Sequence, residues 1–237
     1  MSYSLLQGDC LDLMKQIPDG SVDLVLTDPP YEISNSRGGM MEKQGREFIK
    51  QIDSMGMCKS SLDVNLFLNL CLRIMKIGTF NGVFFCSLKQ LHKYIEFAIK
   101  NKMNYGLTYW HKTDPAPLCN NKYLNDVELC IYITKNKKIA GNYTTKSLVY
   151  KSPTNRIDKK IYGHPTIKPI VLIEKYLTNH SASNETVFDP FMGSGSTGVA
   201  CKNTGRSFIG IELDPHYFEV AKSRIESTQK QVVSAKI

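Results

Sequence analysis

Short apolar segments alternate with stretches of helical periodicity, and this alternation restricts the fold more than any other feature of the sequence. Seven segments have the apolar pattern of strands, and six others carry apolar residues at helical spacing. Such alternation favours a mainly parallel sheet with helices on both faces. The predicted strands are 4–7, 22–27, 79–86, 105–111, 127–134, 185–188 and 207–212. The predicted helices are 10–17, 62–75, 89–101, 168–180, 194–202 and 214–227.

The length and composition indicate one globular domain. Of the 237 residues, 42% are hydrophobic and 22% are charged, which is typical of a folded protein rather than a disordered or fibrous one. No apolar run approaches the roughly 20 residues that a membrane helix needs, and the N-terminus lacks a signal-peptide pattern. We therefore predict a single soluble domain spanning 1–237, located in the cytoplasm and without a membrane partner.

The cysteines argue against a disulfide framework and against a zinc site. There are seven of them, widely scattered, and none is arranged as Cys-x-x-Cys. We predict that they are reduced residues, mostly in the core, and we predict no metal site.

Two segments interrupt the alternation of strands and helices. The first, 32–61, is rich in Gly, Met, Ser and charge, and loops of this length in a compact domain are usually functional or disordered. The second, 135–168, contains nine basic residues and one acidic residue, so its net charge equals the +8 of the whole chain. The rest of the chain is therefore close to neutral. This basic segment is a candidate for phosphate binding, although a solvated loop would have the same composition.

Asp28–Tyr31 directly follows the predicted strand 22–27, and ligands of parallel α/β sheets bind at such carboxyl ends. Two prolines stiffen the chain and remove two backbone donors, which leaves carbonyl groups available as acceptors. The Asp28 carboxylate and the Pro29 carbonyl could then accept from one amino group while the Tyr31 ring stacks on a planar ligand. A capped turn after a strand is the simpler alternative.

A glycine-rich turn, Gly193–Gly198, follows the strand that ends at Asp189 and precedes a predicted helix. Its Gly-x-Gly-x-x-Gly spacing is that of a dinucleotide-binding turn, and Glu212, at the end of the next strand, is placed to accept from ribose hydroxyls. This pattern alone fits NAD as well as other adenosine cofactors. However, a carboxylate beside the turn would repel a pyrophosphate, so Asp189 favours a cofactor that carries an amino group and a positive charge.

These blocks, with His164–Pro169 between them, resemble the signature motifs of the amino-group DNA methyltransferases that use S-adenosylmethionine. Their order, with the catalytic block first, resembles the permuted beta class of that family, and Gly8–Cys10 matches its usual opening. The resemblance implies a Rossmann-like methyltransferase fold with circularly permuted motifs. It also implies a mainly parallel, seven-stranded sheet with one antiparallel strand.

The resemblance further implies three groups of site residues. The residues that would hold the target base are Asp28, Pro29, Pro30 and Tyr31. The residues that would bind S-adenosylmethionine are Asp9, Cys10, Lys168, Asp189, Pro190, Phe191, Gly193, Ser194, Gly195, Glu212 and Leu213. The residues expected to contact DNA are Arg37, Lys137, Lys138, Lys151, Arg156, Lys159 and Lys160. Among the second group, Lys168 is expected near the cofactor carboxylate, and Asp9 could equally be a helix N-cap.

The family pattern also implies a substrate. Asp rather than Ser before the two prolines favours the N6 amine of a flipped-out adenine in duplex DNA. Segment 32–61 would then be a mobile loop near the target base, and 135–163 a basic DNA-recognition insertion. Cytosine N4 methylation, RNA methylation and a catalytically silent nucleic-acid-binding module remain alternatives. A homodimer and a cognate restriction endonuclease remain open as partners.

Overall fold

The structure, a computed structural model, describes residues 2–30, 62–116 and 123–228. Its strands are β1 Tyr3–Gln7, β2 Leu24–Thr27, β3 Phe80–Cys86, β4 Asn104–Lys112, β5 Val127–Lys135, β6 Val149–Ser152, β7 Thr186–Asp189 and β8 Ser207–Glu212. Its helices are α1 Cys10–Met14, α2 Val64–Ile74, α3 Leu88–Lys100, α4 Arg156–Tyr162, α5 Ile170–His180, α6 Ser196–Thr204 and α7 Pro215–Ser227. Every predicted strand and helix is present, with shifts at the ends.

The strands form one sheet in the order β1-β8-β7-β2-β3-β5-β4-β6. Only β5 among the described strands runs antiparallel to its neighbours, β3 and β4. Within the described residues the sheet has eight strands, one more than the seven expected. The additional strand, β6, pairs with β4 at the sheet edge and alternates between exposed and half-buried residues. It therefore lacks the apolar pattern on which the prediction relied.

Helix α4 was also missed, for a related reason. It has seven residues, none of which is buried, so no apolar stripe marks it in the sequence. Asn155 caps its first turn by accepting from the Asp158 amide, and Gly163 ends it with a left-handed conformation. The basic segment thus adds an edge strand and a short helix to the domain.

Both faces of the sheet are buried against helices, as the parallel arrangement requires. On one face, β2 and β3 pack against α1, α2 and α3 through side chains such as Phe84, Phe67 and Tyr94. On the other face they pack against α5, α6 and α7 through side chains such as Leu26 and Tyr176. The described cysteines are unpaired and buried, as predicted: Cys10, Cys71, Cys86, Cys130 and Cys201.

No helix within the described ranges is both long enough and apolar enough to cross a bilayer.

The sheet topology gathers the carboxyl ends of the parallel strands on one side of the sheet, which we call the cavity end. The parallel pairs β1–β8, β8–β7, β7–β2 and β2–β3 place all five carboxyl ends on the same side. Because β5 is antiparallel, its amino end lies there too, with Leu129 opposite Cys86 and Glu128 opposite Trp110. Residues at this edge build the candidate site.

Candidate active site

A cavity of about 320 Å³ opens at this edge of the sheet. Most of the predicted site residues line it: Asp9, Cys10, Asp28, Pro30, Lys168, Asp189, Pro190, Phe191, Gly193, Ser194, Glu212 and Leu213. Gly195 and Pro29 do not line the cavity. Tyr31 lies outside the described residues. The structure therefore brings the two sequence motifs into one cavity, although about 160 residues separate them along the chain.

Asp189 is the most deeply buried carboxylate of the cavity, with 3% of its surface exposed. Its Oδ1 accepts from the Thr27 hydroxyl at 2.6 Å and from the Phe191 amide at 3.1 Å, and its Oδ2 accepts from the Thr197 hydroxyl at 2.6 Å. Burial raises the pKa of Asp189 to about 6, although these hydrogen bonds oppose the shift. Among the described residues no cation lies within ion-pair distance of it, so the site can accept the ammonium of a ligand.

The glycine-rich turn is shaped by two residues in the left-handed region. Gly193 has φ +51°, and a Cβ atom there would lie 2.9 Å from Nε2 of His164. Gly195 has φ +80°, and its Cβ atom would lie 3.0 Å from Ala221 of α7. The first glycine lets the turn pass close to the His164 ring, whereas the second lets the turn pack on α7, which explains why Gly195 does not face the cavity.

Glu212 connects the glycine-rich turn to the end of β8. Its Oε2 accepts from the Gly193 amide at 2.8 Å, and its Oε1 accepts from the Asp214 amide at 2.9 Å. Burial raises the pKa of Glu212, and the two amides oppose that shift. Each carboxylate oxygen has a second lone pair, so Glu212 can also accept from the vicinal hydroxyls of a ribose.

Asp9 and Cys10 form another part of the wall, where β1 leads into α1. Asp9 is the N-cap of α1, because Oδ1 accepts from the Leu11 and Asp12 amides at 2.8 and 3.3 Å. Burial and the Asp9 carboxylate raise the pKa of the Cys10 thiol to about 12, so it remains protonated at neutral pH. Asp9 thus has the capping role that the sequence offered as an alternative, while it also lines the cavity.

The structure gives Asp28 a cationic partner that sequence reasoning did not anticipate. The Lys168 ammonium, on a residue that is 6% exposed, forms an ion pair with Oδ2 of Asp28. It also contacts Oε1 of Glu128 at 2.9 Å and lies 4.9 Å from the centre of the Phe85 ring. Lys168 lines the cavity, and its ammonium is paired with two carboxylates of the protein, so its expected place near the cofactor carboxylate stays a prediction.

Glu128 is held by a second lysine as well. Lys112, at the end of β4, contacts its Oε2 at 3.0 Å. Burial opposes the ionisation of Glu128, but Lys168 and Lys112 outweigh it and lower its pKa to about 2. Burial likewise opposes the charge on Lys168, but Asp28 and Glu128 outweigh it and raise its pKa. These side chains therefore form a chain of four charges, Asp28, Lys168, Glu128 and Lys112.

The segment after β2 is fixed from the other side by α3. Gln90, which is buried, donates from Nε2 to the Pro30 carbonyl at 2.9 Å. Its Oε1 accepts from the Ser87 hydroxyl at 3.1 Å, within the capping box of α3. Pro29 is buried. These contacts hold Asp28 in place at the rim of the cavity.

The predicted DNA-contacting residues fall into two separate groups. Lys151 lies on β6, and Arg156, Lys159 and Lys160 lie on α4, near the cavity end of the sheet. Lys137 and Lys138 follow the carboxyl end of the antiparallel strand β5, so they lie at the end of the sheet opposite the cavity. There Lys137 pairs with Glu185 at 2.8 Å, before the start of β7. The structure thus does not bring those two lysines to the cavity. Arg37 lies outside the described residues.

A buried arginine connects α4 to the glycine-rich turn. Arg224 of α7 contacts Oδ2 of Asp158 at 2.6 Å and donates to the Ser194 carbonyl and the Ser196 hydroxyl, each at 3.2 Å. Its guanidinium lies 4.3 Å from the centre of the Tyr162 ring. This arginine fixes the position of α4 relative to the cavity.

Several residues of the site were missed by sequence reasoning: Thr27, Gln90, Lys112, Glu128, Thr197 and Arg224. Thr197 belongs to the glycine-rich motif, where its hydroxyl was a usable signal. The other five act through partners distant in sequence, so no local pattern identifies them.

The parallel sheet with its permuted motifs, and a cavity in which two buried carboxylates flank a glycine-rich turn, are the features expected of an S-adenosylmethionine-dependent methyltransferase. The sequence model of a family described as DNA methylase (N6_N4_Mtase) matches residues 22–223. The chain belongs to this family.

Known relatives agree with this assignment. The type II methyltransferase M2.LlaDCHI of Lactococcus lactis subsp. cremoris is 30% identical, over 93% of this chain and 88% of its own length. M2.DpnII of Streptococcus pneumoniae is 28% identical, over 94% and 89%. M.HinfI of Haemophilus influenzae is 27% identical, over 94% of this chain and 68% of its own length.

Solved structures share the fold. The crystal structure of the M1.HpyAVI–SAM complex is 27% identical, with a TM-score of 0.70, and the match covers 94% of this chain and 99% of that one. The cytosine-N4-specific PvuII DNA methyltransferase also has a TM-score of 0.70, at 17% identity, over 99% of this chain and 89% of that one. The chain is a DNA methyltransferase that modifies amino groups and uses S-adenosylmethionine.

Proposed function

We propose that the chain methylates the N6 amine of adenine at a specific site in duplex DNA. The observation that carries the proposal is that Asp28 and Asp189, at the ends of neighbouring strands, line the same cavity, so that an acceptor for an amine and an acceptor for an ammonium open into one space. The residue before the two prolines, Asp rather than Ser, favours adenine in the family pattern. The relatives named as type II methyltransferases support a role beside a cognate restriction endonuclease.

The cofactor half of the cavity comprises Asp189, the glycine-rich turn and Glu212. Asp189 would hold the ammonium of the methionine group, and Glu212 the ribose hydroxyls, since each retains acceptor capacity toward the cavity. When bound, S-adenosylmethionine supplies an electrophilic methyl group on a sulfonium.

The base half comprises Asp28 and the two prolines. The amine of adenine is a weak nucleophile because its lone pair is delocalised into the ring. Asp28 would accept from the amine, turn the lone pair toward the methyl group and stabilise the positive charge that develops on nitrogen. The sequence offers the Pro29 carbonyl as a second acceptor, but Pro29 does not line the cavity, so Asp28 carries this role. Asp28 need not be a strong base, because the amine becomes acidic once it is methylated.

Access to that amine requires base flipping, which costs a few kcal/mol. We propose that Tyr31, next to Pro30 in the sequence, offsets part of this cost by stacking, which is worth about 1 to 3 kcal/mol per base. Segment 32–61, with Arg37, follows it directly and would form the loop over the base. Both lie outside the described residues.

Contacts to the DNA backbone would come from the part of 135–163 that reaches the cavity end of the sheet. Lys151, Arg156, Lys159 and Lys160 lie there on β6 and α4. Lys137 and Lys138 lie at the other edge, and we assign them no contact with the duplex that enters the cavity. A homodimer would extend this small recognition surface.

The proposal is tested by incubating the protein with duplex DNA and S-adenosylmethionine labelled in its methyl group, followed by mass spectrometry of the digested nucleosides. Labelled N6-methyladenine is the expected product. Labelled N4-methylcytosine would keep the mechanism and overturn the base assignment. Label in RNA but not in DNA, in a parallel incubation, would overturn the substrate.

A further inference from the structure

The charge on Asp28 is already compensated by the protein, although its proposed ligand is a neutral amine. Lys168 forms an ion pair with Asp28 from a buried position. An acceptor for a neutral donor does not need a cation to attract its ligand. The ion pair therefore points to a second requirement, which is that Asp28 remain ionised and fixed in orientation inside a partly apolar cavity.

Lys168 is itself held on several sides. Besides Asp28, its ammonium contacts Glu128 at 2.9 Å and lies 4.9 Å from the Phe85 ring. Glu128 is held between Lys168 and Lys112, with 2.9 and 3.0 Å to its two oxygens. The position of the ammonium is thus set by a strand that sequence reasoning assigned no role, the antiparallel β5.

We infer that Lys168 and Glu128 are positioning residues for Asp28: Lys168 keeps the Asp28 carboxylate ionised and oriented toward the target amine, and Glu128 holds Lys168 in place. The inference deepens the proposed function and rests on it, because it presumes that Asp28 receives the amine. Neither residue needs to contact the base or the cofactor for this role.

Glu128 is needed because of the other cations near the cavity. Lys159 lies close enough to Lys112 and Lys168 that burial, together with these two ammonium groups, lowers its pKa. Without the Glu128 carboxylate, three ammonium groups would repel one another and Lys168 would lose a fixed partner. The Lys168 ammonium would still pair with Asp28, but in several geometries, so the Asp28 carboxylate would no longer be held in one orientation.

The inference predicts how catalysis depends on pH, so the groups facing Asp28 matter. They are Lys168 before α5, Glu128 on β5, Asp189 on β7, Cys86 on β3, Cys130 on β5 and Tyr94 on α3. Burial raises the pKa of Cys86 to about 12, and it also raises the pKa values of Cys130 and Tyr94, so these three stay neutral. Beside Lys168, burial and the lysines lower the pKa of His164 to about 4.

Asp189, with a pKa of about 6, is the neighbour that titrates in the working range. Its protonation acts on cofactor binding, whereas that of Asp28 acts on turnover. The two are separated when kcat is measured with saturating cofactor and DNA at each pH, while the cofactor Kd is measured alone over the same range.

The experiment compares Lys168→Met, Lys168→Arg and Glu128→Gln with the wild type. Lys168→Met removes the cation, so the acid limb of the kcat profile should move to higher pH by about one unit or more, with activity partly regained above it. Lys168→Arg keeps the charge, so its acid limb should stay in place. Glu128→Gln should lower kcat up to about 100-fold by misplacement, without moving the limb upward.

Two results would overturn the inference. One is a Lys168→Met profile with an unmoved acid limb, because a merely structural lysine would lower kcat equally at every pH. The other is a Glu128→Gln enzyme with wild-type kcat, which decides the matter even where Lys168→Met does not fold. Glu128→Gln should lower the thermal unfolding midpoint, because Lys168 and Lys112 lose a buried charge partner, whereas a cofactor Kd near wild type would show that the variant is folded under the assay conditions. If the wild-type protein methylates no amine of DNA, the proposed function is contradicted rather than this inference.

Discussion

Asp28 and Asp189 stand at the ends of neighbouring parallel strands, β2 and β7, but their carboxylates have opposite electrostatic surroundings. Asp189 is bound by two hydroxyls and an amide, all neutral donors, and burial raises its pKa to about 6. Asp28 is paired with the buried Lys168. The same residue type at the same edge of one sheet is therefore prepared for different ligands.

The difference teaches how one cavity can distinguish a cation from a neutral amine. A carboxylate surrounded only by neutral donors retains its attraction for a cation, so Asp189 suits the ammonium of the cofactor. A carboxylate whose charge is compensated attracts cations weakly but still accepts hydrogen bonds, so Asp28 suits the amine of a base. Exchanging the two environments would bring the cofactor to the wrong end of the cavity.

The largest expected effect comes from Asp28. Asp28→Asn should lower kcat by about 10²- to 10⁴-fold, because the neutral amide of Asn is a weaker acceptor than the charged carboxylate and does not stabilise positive charge on the amine. The Kd for S-adenosylmethionine should stay close to the wild-type value. Single-turnover kinetics and calorimetry measure the two quantities. An enzyme that keeps most of its turnover would remove Asp28 from the centre of the mechanism.

Asp189→Asn provides the matched exchange at the other carboxylate. Loss of the charge should raise the Kd for S-adenosylmethionine about 10- to 100-fold, since hydrogen bonds to charged groups are worth about 1.5 to 3 kcal/mol. In the wild type the affinity should fall as pH falls through about 6, because Asp189 then becomes protonated. This pH dependence should be absent from the variant, and its persistence there would show that another group titrates.

A smaller effect is expected from Thr27→Val, which keeps the side-chain shape but removes the 2.6 Å hydrogen bond to Asp189. That hydrogen bond opposes the raised pKa of Asp189, so the midpoint of cofactor binding should move to higher pH. Thr108→Val is a suitable control, because Thr108 is also buried but bonds to Tyr176. Equal midpoint shifts in both variants would contradict the assignment.

The smallest effect concerns the two groups of basic residues. Lys160 on α4 and Lys138 beyond β5 are both exposed, so Lys160→Gln and Lys138→Gln remove the same charge at the two edges of the sheet. One neutralised phosphate contributes about 0.9 to the slope of log affinity against log salt concentration. Lys160→Gln should lower the slope by about that amount, and Lys138→Gln should leave it unchanged. Equal changes would place DNA across both edges.

The residues that could be predicted are those whose motif is local. Asp28 follows β2, Asp189 and Glu212 end β7 and β8, and Gly193 lies in the turn after β7, and the parallel sheet brings such positions together without further information. Their partners could not be predicted in this way. Glu128 reaches the Lys168 ammonium only because β5 is antiparallel, and the register of β5 against β4 and β3 is not visible in any local pattern.

The basic segment illustrates a second limit. Its composition identified a charged region correctly, but charge carries no information about which edge of the sheet a residue occupies. Lys137 and Lys160 are separated by an edge strand whose side chains are too exposed to produce an apolar pattern. Exposed elements such as β6 and α4 are specified by hydrogen bonding and capping rather than by burial, and these signals are weak in one sequence.

The position of β1 has a consequence for synthesis of the chain. Its sheet neighbour is β8, and Tyr3 pairs with Phe208, so β1 leaves the ribosome long before its partner strand and must wait for it. At about 5 to 20 residues per second this wait is roughly 10 to 40 s. The arrival of β8 also delivers Glu212. A nascent chain therefore completes its sheet and its proposed cofactor site in the same late step.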